Sequence, residues 1–243
     1  MVFARLFSLL LPTDASAHGP ALDHQLRLSL WIILALATLA HILLLIGLFS
    51  KRSSRPRHLW SIEYLPLALL AILFATLGIR AERLWASTRY TGASHEAMQV
   101  EATGMQFAWY FRYPGLDATF GITRAQLASA AEGNPVGIDP ADSHSTDDLV
   151  TSELVLPANR EVDLALRAQD VIHGFAVPEL RLKQNALPGE SIHIHFTPTK
   201  PGTYAILCTQ LCGLGHYRMN ANLRILPPKE FDSWLAAKEQ ARQ

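Results

Sequence analysis

Two apolar runs near the start of the chain, Leu28–Phe49 and Leu59–Ile79, limit its possible folds more than any other feature. At about 1.5 Å per helical residue, each covers roughly the 30 Å hydrocarbon core of a bilayer. Lys51, Arg52, Arg55 and Arg57 fill the short connection between them. A basic loop between two spans predicts a helical hairpin with the loop in the cytoplasm and both termini outside. Arg80, Arg83 and Arg89 follow the second run and weaken that charge asymmetry, yet the remaining chain must lie on one side as a block. Two polar groups sit within the spans. Glu63 is an ionisable group at membrane depth, which is costly and marks a functional candidate. The alternative is an interfacial Glu63 that snorkels or pairs with Arg57. His41 is read as a hydrogen-bonded packing residue against a partner helix.

The segment before the hairpin, 1–25, leaves two readings open. Arg5, the apolar Leu6–Leu11 and Ala15-Ser16-Ala17 resemble a short signal peptide with its A-x-A cleavage site. The same residues also suit an uncleaved arm outside the membrane. The hairpin is placed at 26–90 and a second, soluble domain at 91–243. With 21 basic against 21 acidic residues and no basic stripe, the composition excludes a nucleic-acid partner.

From about Met98 the pattern turns to short β-type runs between Pro, Gly and Asp. Strands are predicted at Gln99–Tyr113, Val150–Val155, Glu161–Arg167, Val171–Val177, Ser191–Thr197, Thr203–Leu207 and Tyr217–Ile225. Pro157, Pro188-Gly189 and Pro201-Gly202 mark turns. The rhythm predicts an antiparallel sandwich or Greek-key barrel. An acidic insertion at 116–149 interrupts it; a loop this long is functional, mobile or simply solvated. Phe231, Trp234 and Leu235 recur at helical spacing and predict an amphipathic helix over 229–241.

The only two cysteines, Cys208 and Cys212, lie in a stretch with the spacing C-x3-C-x3-H-x2-M, ending at His216 and Met219. Thiolate, thioether and imidazole together favour copper and electron transfer. Zinc sites usually open with other cysteine spacings and take four Cys or His ligands. A second imidazole is best supplied by His173, at a strand end. His193 and His195 share the polar face of one strand and are read as exposed strand residues. A mononuclear copper site needs one cysteine, two histidines and a weak axial Met. Two thiolates four residues apart can instead bridge two copper ions. Each ion would then take one imidazole, with Met219 and the backbone carbonyl of Gln210 as weak axial ligands. The competing reading is a metal-free Cys208–Cys212 disulfide.

With these residues the chain resembles subunit II of the haem–copper oxidases, the cytochrome c oxidase subunit II family. The motif Cys208-x3-Cys212-x3-His216-x2-Met219, with Asp170-Val171-x-His173 upstream, carries the resemblance, which runs over nearly the whole chain. It implies a two-helix transmembrane hairpin followed by an all-β cupredoxin-like Greek-key sandwich. It also implies a binuclear CuA centre on His173, Cys208, Gln210 (carbonyl), Cys212, His216 and Met219. Electrons would come from a c-type cytochrome and pass to the haem of a separate catalytic subunit I. Oxygen would be reduced there with proton pumping, and a subunit III would complete the assembly. Those partners carry the haems and a further copper, and this chain has no bond-making site. The implied location is the bacterial cytoplasmic membrane, with the copper domain on the outer side.

Some positions depart from the family pattern. Gln210 replaces the usual Glu between the cysteines. A neutral amide binds a hard cation less well than a carboxylate, which puts a magnesium site in doubt. Gln106-Phe107-Ala108-Trp109-Tyr110 stands where the family shows Gln-Trp-Tyr-Trp. Phe107 therefore occupies the usual electron-entry position, with Trp109 as the other candidate. Gln169 and Asn185 thin the carboxylates that would dock a cationic cytochrome, and the acidic insertion is a candidate replacement. Glu63 resembles a glutamate near a proton-channel mouth, without the Trp-Thr that usually follows. Two rival functions are the CuA subunit of a nitric oxide reductase and a membrane-anchored copper redox carrier.

Overall fold

The computed structural model describes residues 11–50 and 59–241, with side chains of the second helix described from Glu63 onward. Residues 6–10 and the basic loop Lys51–Arg57 of the sequence reading fall outside them. The chain divides into a helical unit, Pro20–Tyr90, and a β unit, Thr91–Gln243 together with the segment ending at Gly19.

The helical unit holds α1 (Gly19–Phe49) and α2 (Leu59–Arg89), 31 residues each. Both are long and apolar enough to cross a membrane. Each would be about 46 Å long, more than the hydrocarbon core requires. The excess lies before Leu28 in α1 and after Ile79 in α2, where Ala, Leu, Glu and Arg keep the helix going. His41 differs from expectation: its Nδ1–H donates to Ala37 O of its own helix at 2.7 Å.

The β unit packs two five-stranded sheets. The strands are β1 (Met98–Met105), β2 (Ala108–Tyr113), β3 (Leu149–Thr151), β4 (Leu154–Pro157), β5 (Val162–Ala168), β6 (His173–Val177), β7 (Leu182–Ala186), β8 (Ile192–Phe196), β9 (Gly202–Cys208) and β10 (Asn220–Leu226). The sheet orders are β3-β2-β1-β5-β8 and β4-β10-β9-β6-β7. Alternate residues of the facing strands form the shared core, among them Val100, Ala102, Trp109, Phe111, Leu164, Leu166, Phe175, Val177, Ile206 and Leu223.

The sandwich is not wholly antiparallel, as the strand rhythm predicted. β1 pairs with β5, and β4 with β10, in parallel. The chain changes sheet between β3 and β4 and returns before β5, so β5 re-enters beside β1 in the same direction. That change of sheet also splits the predicted strand Val150–Val155 in two. The predicted Gln99–Tyr113 is a hairpin, β1–β2, turning at Gln106-Phe107. β7 was not foreseen: it is an edge strand, and its central Lys183, Gln184 and Asn185 lack the apolar pattern of a buried one. The run Tyr217–Ile225 becomes a strand only at Asn220, because His216–Arg218 form a 3₁₀ turn. The last element, α3 (Pro228–Gln240), buries Phe231 and sets Trp234 edge-on to Tyr113 at 5.5 Å.

The acidic insertion is packed rather than merely solvated. Arg112, buried in β2, donates to Glu101 Oε2 at 3.0 Å, to Asp148 Oδ2 and to Gly121 O. Asp142 accepts Ile122 N–H at 2.7 Å, and Asp147 accepts Leu116 N–H at 2.7 Å and Asp117 N–H at 3.1 Å. Asp139 binds Arg124 at 2.6 Å and Asp117 binds His144 at 2.7 Å. Its carboxylates therefore tie the insertion to itself and to β2 instead of forming a bare acidic patch. The segment around Ala15 joins the same unit. Ala15, fully buried, donates to Glu179 O at 2.8 Å and accepts Thr199 N–H at 2.7 Å, while Ala17 donates to Thr197 O at 3.0 Å.

Candidate metal centre

The soft donors converge at one end of the second sheet. His173 opens β6 and is fully buried. Cys208 closes β9, opposite Phe175 of β6. Cys212, His216 and Met219 follow in the loop to β10. That loop is pinned at its base by Cys208 N–H to Met219 O at 3.2 Å and Thr209 N–H to Gly174 O at 2.9 Å. Gly174 makes this close approach possible: a Cβ there would lie 2.5 Å from Thr209 Oγ1 and 2.8 Å from Gln210 N.

The resulting cluster is tight. A ring nitrogen of His173 and the sulfurs of Cys208 and Cys212 lie within 4.8 Å of one another. The two sulfurs are 3.8 Å apart and both cysteines are free. That gap is far beyond the roughly 2.05 Å of a disulfide. It is less than twice the roughly 2.3 Å of a metal–thiolate bond, so one ion can touch both sulfurs. Cys212 Sγ is 3.6 Å from His216 Nδ1 and 3.6 Å from Met219 Sδ. The Cys208 thiol donates to the Gln210 carbonyl at 3.3 Å. All six positions named from sequence thus meet here. Burial, with Cys208 alongside, pushes the Cys212 thiol up to about 11. Metal binding at such a thiol must release its proton.

His173 is held for ligation. Its Nε2–H donates to Asp170 Oδ1 at 2.8 Å. Nδ1 therefore keeps its lone pair, and it is buried without a hydrogen-bond partner among the described residues. A carboxylate on the far nitrogen fixes the tautomer and ring orientation of a metal-binding imidazole. Asp170 also accepts Gln106 N–H and Val171 N–H, each at 2.7 Å. Its partial burial acts to raise its pKa, but the bonds from His173, Gln106 and Val171 outweigh that and hold the carboxyl below the usual range. This buried, unpartnered nitrogen beside two free thiols, the second imidazole of His216 and a thioether fits a soft-metal group.

The flanking aromatics take different places. Trp109 is buried behind His173, edge-on at 5.9 Å, and edge-on to Phe175 at 5.4 Å. Gly104 of β1 leaves room for both rings; a Cβ would lie 3.0 Å from each. Phe107 is half-buried beneath the ligand loop, and a Cβ on Gly215 would come within 2.4 Å of its ring. The Arg218 guanidinium lies 5.7 Å from the ring centroid, and Gln106 Nε2 donates to Cys212 O at 2.6 Å. Leu211, Leu214 and Tyr217 of the same loop are exposed. Sequence reasoning named Asp170 only as part of a motif and gave Gln106, Gly104 and Gly174 no role; the Asp three residues before His173 was the available signal. Glu63 belongs to the other unit, one turn into α2, with its side chain exposed. His193 stands at the exposed edge, bonded to Asp163 at 3.0 Å.

The β unit is similar in sequence to known proteins. The family model described as cytochrome c oxidase subunit II, periplasmic domain, matches residues 98–225. The chain is 36% identical over 142 residues to the alternative cytochrome c oxidase subunit 2 of Bradyrhizobium diazoefficiens, covering 58% of this chain and 50% of that one. It is 33% identical over 144 residues to cytochrome c oxidase subunit 2 of a Synechocystis species, covering 59% of this chain and 34% of the relative. The chain thus spans half the length of these curated relatives, or less. The crystal structure of the periplasmic domain of subunit II of cytochrome oxidase (CoxB) from Bradyrhizobium japonicum is 26% identical with a TM-score of 0.46, covering 63% of this chain and all of that domain. A membrane-anchored chain with a periplasmic domain accommodates both the family-model match over residues 98–225 and the helices α1 and α2. With more than half of its residues under that family model, the chain belongs to the cytochrome c oxidase subunit II family.

Proposed function

We propose that the chain is the electron-entry subunit of a haem–copper oxidase. Two copper ions would be held by His173, Cys208, Cys212, His216, Met219 and the Gln210 carbonyl. The observation that carries this is the pair of free thiols 3.8 Å apart beside the unpartnered Nδ1 of His173. Bound there, a copper pair supplies a one-electron centre that a c-type cytochrome can reduce and the haem of a catalytic subunit can oxidise. The chain's own residues do the positioning. Asp170 orients His173, Gln106 anchors the loop at Cys212, and Trp109 with Phe175 excludes water from the buried side of the imidazole. Phe107, beneath the ligand loop, is the aromatic through which an outside donor would couple, whereas buried Trp109 lies behind His173.

The assembly would include subunits I and III in a bacterial cytoplasmic membrane, with both termini outside, and would reduce oxygen with proton pumping. Glu63 would sit near the mouth of a proton channel. Gln210 offers no carboxylate for magnesium. The test is copper content together with the EPR spectrum of the purified full chain. Two coppers per chain with a mixed-valence signal shared between them support the reading; one copper, or none with a Cys208–Cys212 disulfide, overturns it. Oxygen against nitric oxide consumption by the co-purified complex separates an oxidase from a nitric oxide reductase. Purification without any haem subunit would favour a lone copper carrier.

A further inference from the structure

The arginines after the second apolar run have no part in the copper reading. They also run against the usual concentration of Lys and Arg on the cytoplasmic side. The structure places two of them in a cleft of about 400 Å³ between α1 and α2, lined by Ala21, His24, Gln25, Arg80, Arg83 and Leu84. Ala21, His24 and Gln25 share one face of α1, and Arg80, Arg83 and Leu84 share one face of α2, by their three- and four-residue spacing. The nearby acids point elsewhere. Asp23 lies two positions from both Ala21 and Gln25, and Glu82 two from both Arg80 and Leu84, about 200° round each helix. Among the described residues neither Arg80 nor Arg83 has an ion-pair partner, whereas Arg89 stacks on Trp85 at 4.9 Å.

The depth matches a headgroup. Arg80 directly follows Ile79, the last residue of the apolar run, and Arg83 is about 4.5 Å further along the axis. The polar layer outside the hydrocarbon core is about 5–7 Å thick on each side, so both guanidiniums fall within it. Ala21 and Leu84 give the cleft apolar walls, while His24 and Gln25 add hydrogen-bonding groups. Two guanidinium forks with donors beside them are the geometry that grips a phosphate. Basic pockets between transmembrane helices bind anionic headgroups on these terms.

We propose that this cleft binds the phosphate of an anionic phospholipid in the outer leaflet, with Arg80 and Arg83 as the charged contacts. The test uses the full chain in nanodiscs of mixed phosphatidylglycerol and phosphatidylcholine, released into native mass spectrometry to count retained lipids. Wild type should retain phosphatidylglycerol preferentially, and the double variant R80Q/R83Q should lower that preference roughly thirtyfold, taking about 1 kcal/mol for each of the two surface arginines. Arg27→Gln removes an exposed cation outside the cleft and should leave the preference intact. An equal loss in Arg27→Gln would mean diffuse surface charge and overturn the proposal. So would displacement of the retained lipid by millimolar inorganic phosphate, which would assign the site to free anion. Unchanged helicity by circular dichroism, and partial recovery in R80K/R83K, separate lost binding from lost folding. No preference in wild type overturns the proposal outright, without touching the copper reading.

Discussion

Asp170→Asn probes the support of the metal centre while leaving every donor to the metal in place. Three N–H groups converge on the Asp170 carboxylate: Gln106 at one oxygen, Val171 and His173 Nε2 at the other, all within 2.8 Å. An amide offers one acceptor oxygen and one NH2. Placed to keep Val171 and His173, its NH2 meets the Gln106 N–H donor to donor; turned the other way, it loses two bonds. The first arrangement costs less. It exchanges charge-assisted bonds of about 1.5–3 kcal/mol for neutral ones near 1 kcal/mol. The Asp170 side chain is 30% exposed, so water recovers part of the loss. The metal-free protein should be less stable by about 1–2 kcal/mol. Copper affinity should fall about 10–100-fold, as it does when the outer partner of a ligating histidine is removed.

Chelator competition for copper on the full chain, with thermal melting of the metal-free form, reads both effects. Acid titration adds a signed check. Asp170 is depressed in the folded state, so its contribution is fully present above the unfolded carboxyl value near 3.9 and is lost as pH falls through its lower folded value. The Asn variant should lack that acid-side loss. If its copper affinity matches wild type within twofold and its melt is unchanged, Asp170 does not orient His173 and the argument from the unpartnered Nδ1 fails.

Other positions give sharper or simpler outcomes. Gly174→Ala drives a methyl to within 2.5 Å of Thr209 Oγ1 and 2.8 Å of Gln210 N, so melting should show about 1–3 kcal/mol of overpacking and copper uptake should fall. Arg112→Met takes the cation from buried Asp148 and leaves Glu101 with Arg167 alone, and denaturant unfolding should report a loss of about 3–5 kcal/mol, loosening the insertion as judged by proteolysis near Gly121. His144 is raised by its bond to Asp117, which is lowered by the same contact. The histidine's contribution is complete below the unfolded value near 6.5 and fades as pH rises through its higher folded value; that of Asp117 is present above about 3.9 and fades below. An NMR titration of His144 in wild type and Asp117→Asn checks this: the His144 midpoint should drop in the variant.

What was legible in the sequence follows from the kind of constraint each residue meets. The candidate metal ligands could be named because ligation demands particular atoms, and four of the soft donors lie in one short stretch, Cys208 to Met219. The hairpin could be named because lipid demands long apolar runs. The strand pairing was less legible, since parallel neighbours such as β1 and β5 depend on which sheet the chain visits in between, and nothing local records that. β7 escaped because an edge strand tolerates Lys183, Gln184 and Asn185. The carboxylates of the insertion were visible as charge but not as partners of backbone N–H groups, which any residue supplies. The support of the metal centre was the least legible part. Gln106 reaches Asp170 across 64 residues and Cys212 across 106. Gly104 and Gly174 act by what they lack: one makes room for the imidazole and the indole, the other lets the ligand loop pass over β6. A ligand announces itself by its chemistry, whereas a close approach between distant segments leaves no local pattern, so the residues that set the geometry of the centre emerge only once the sheets are packed.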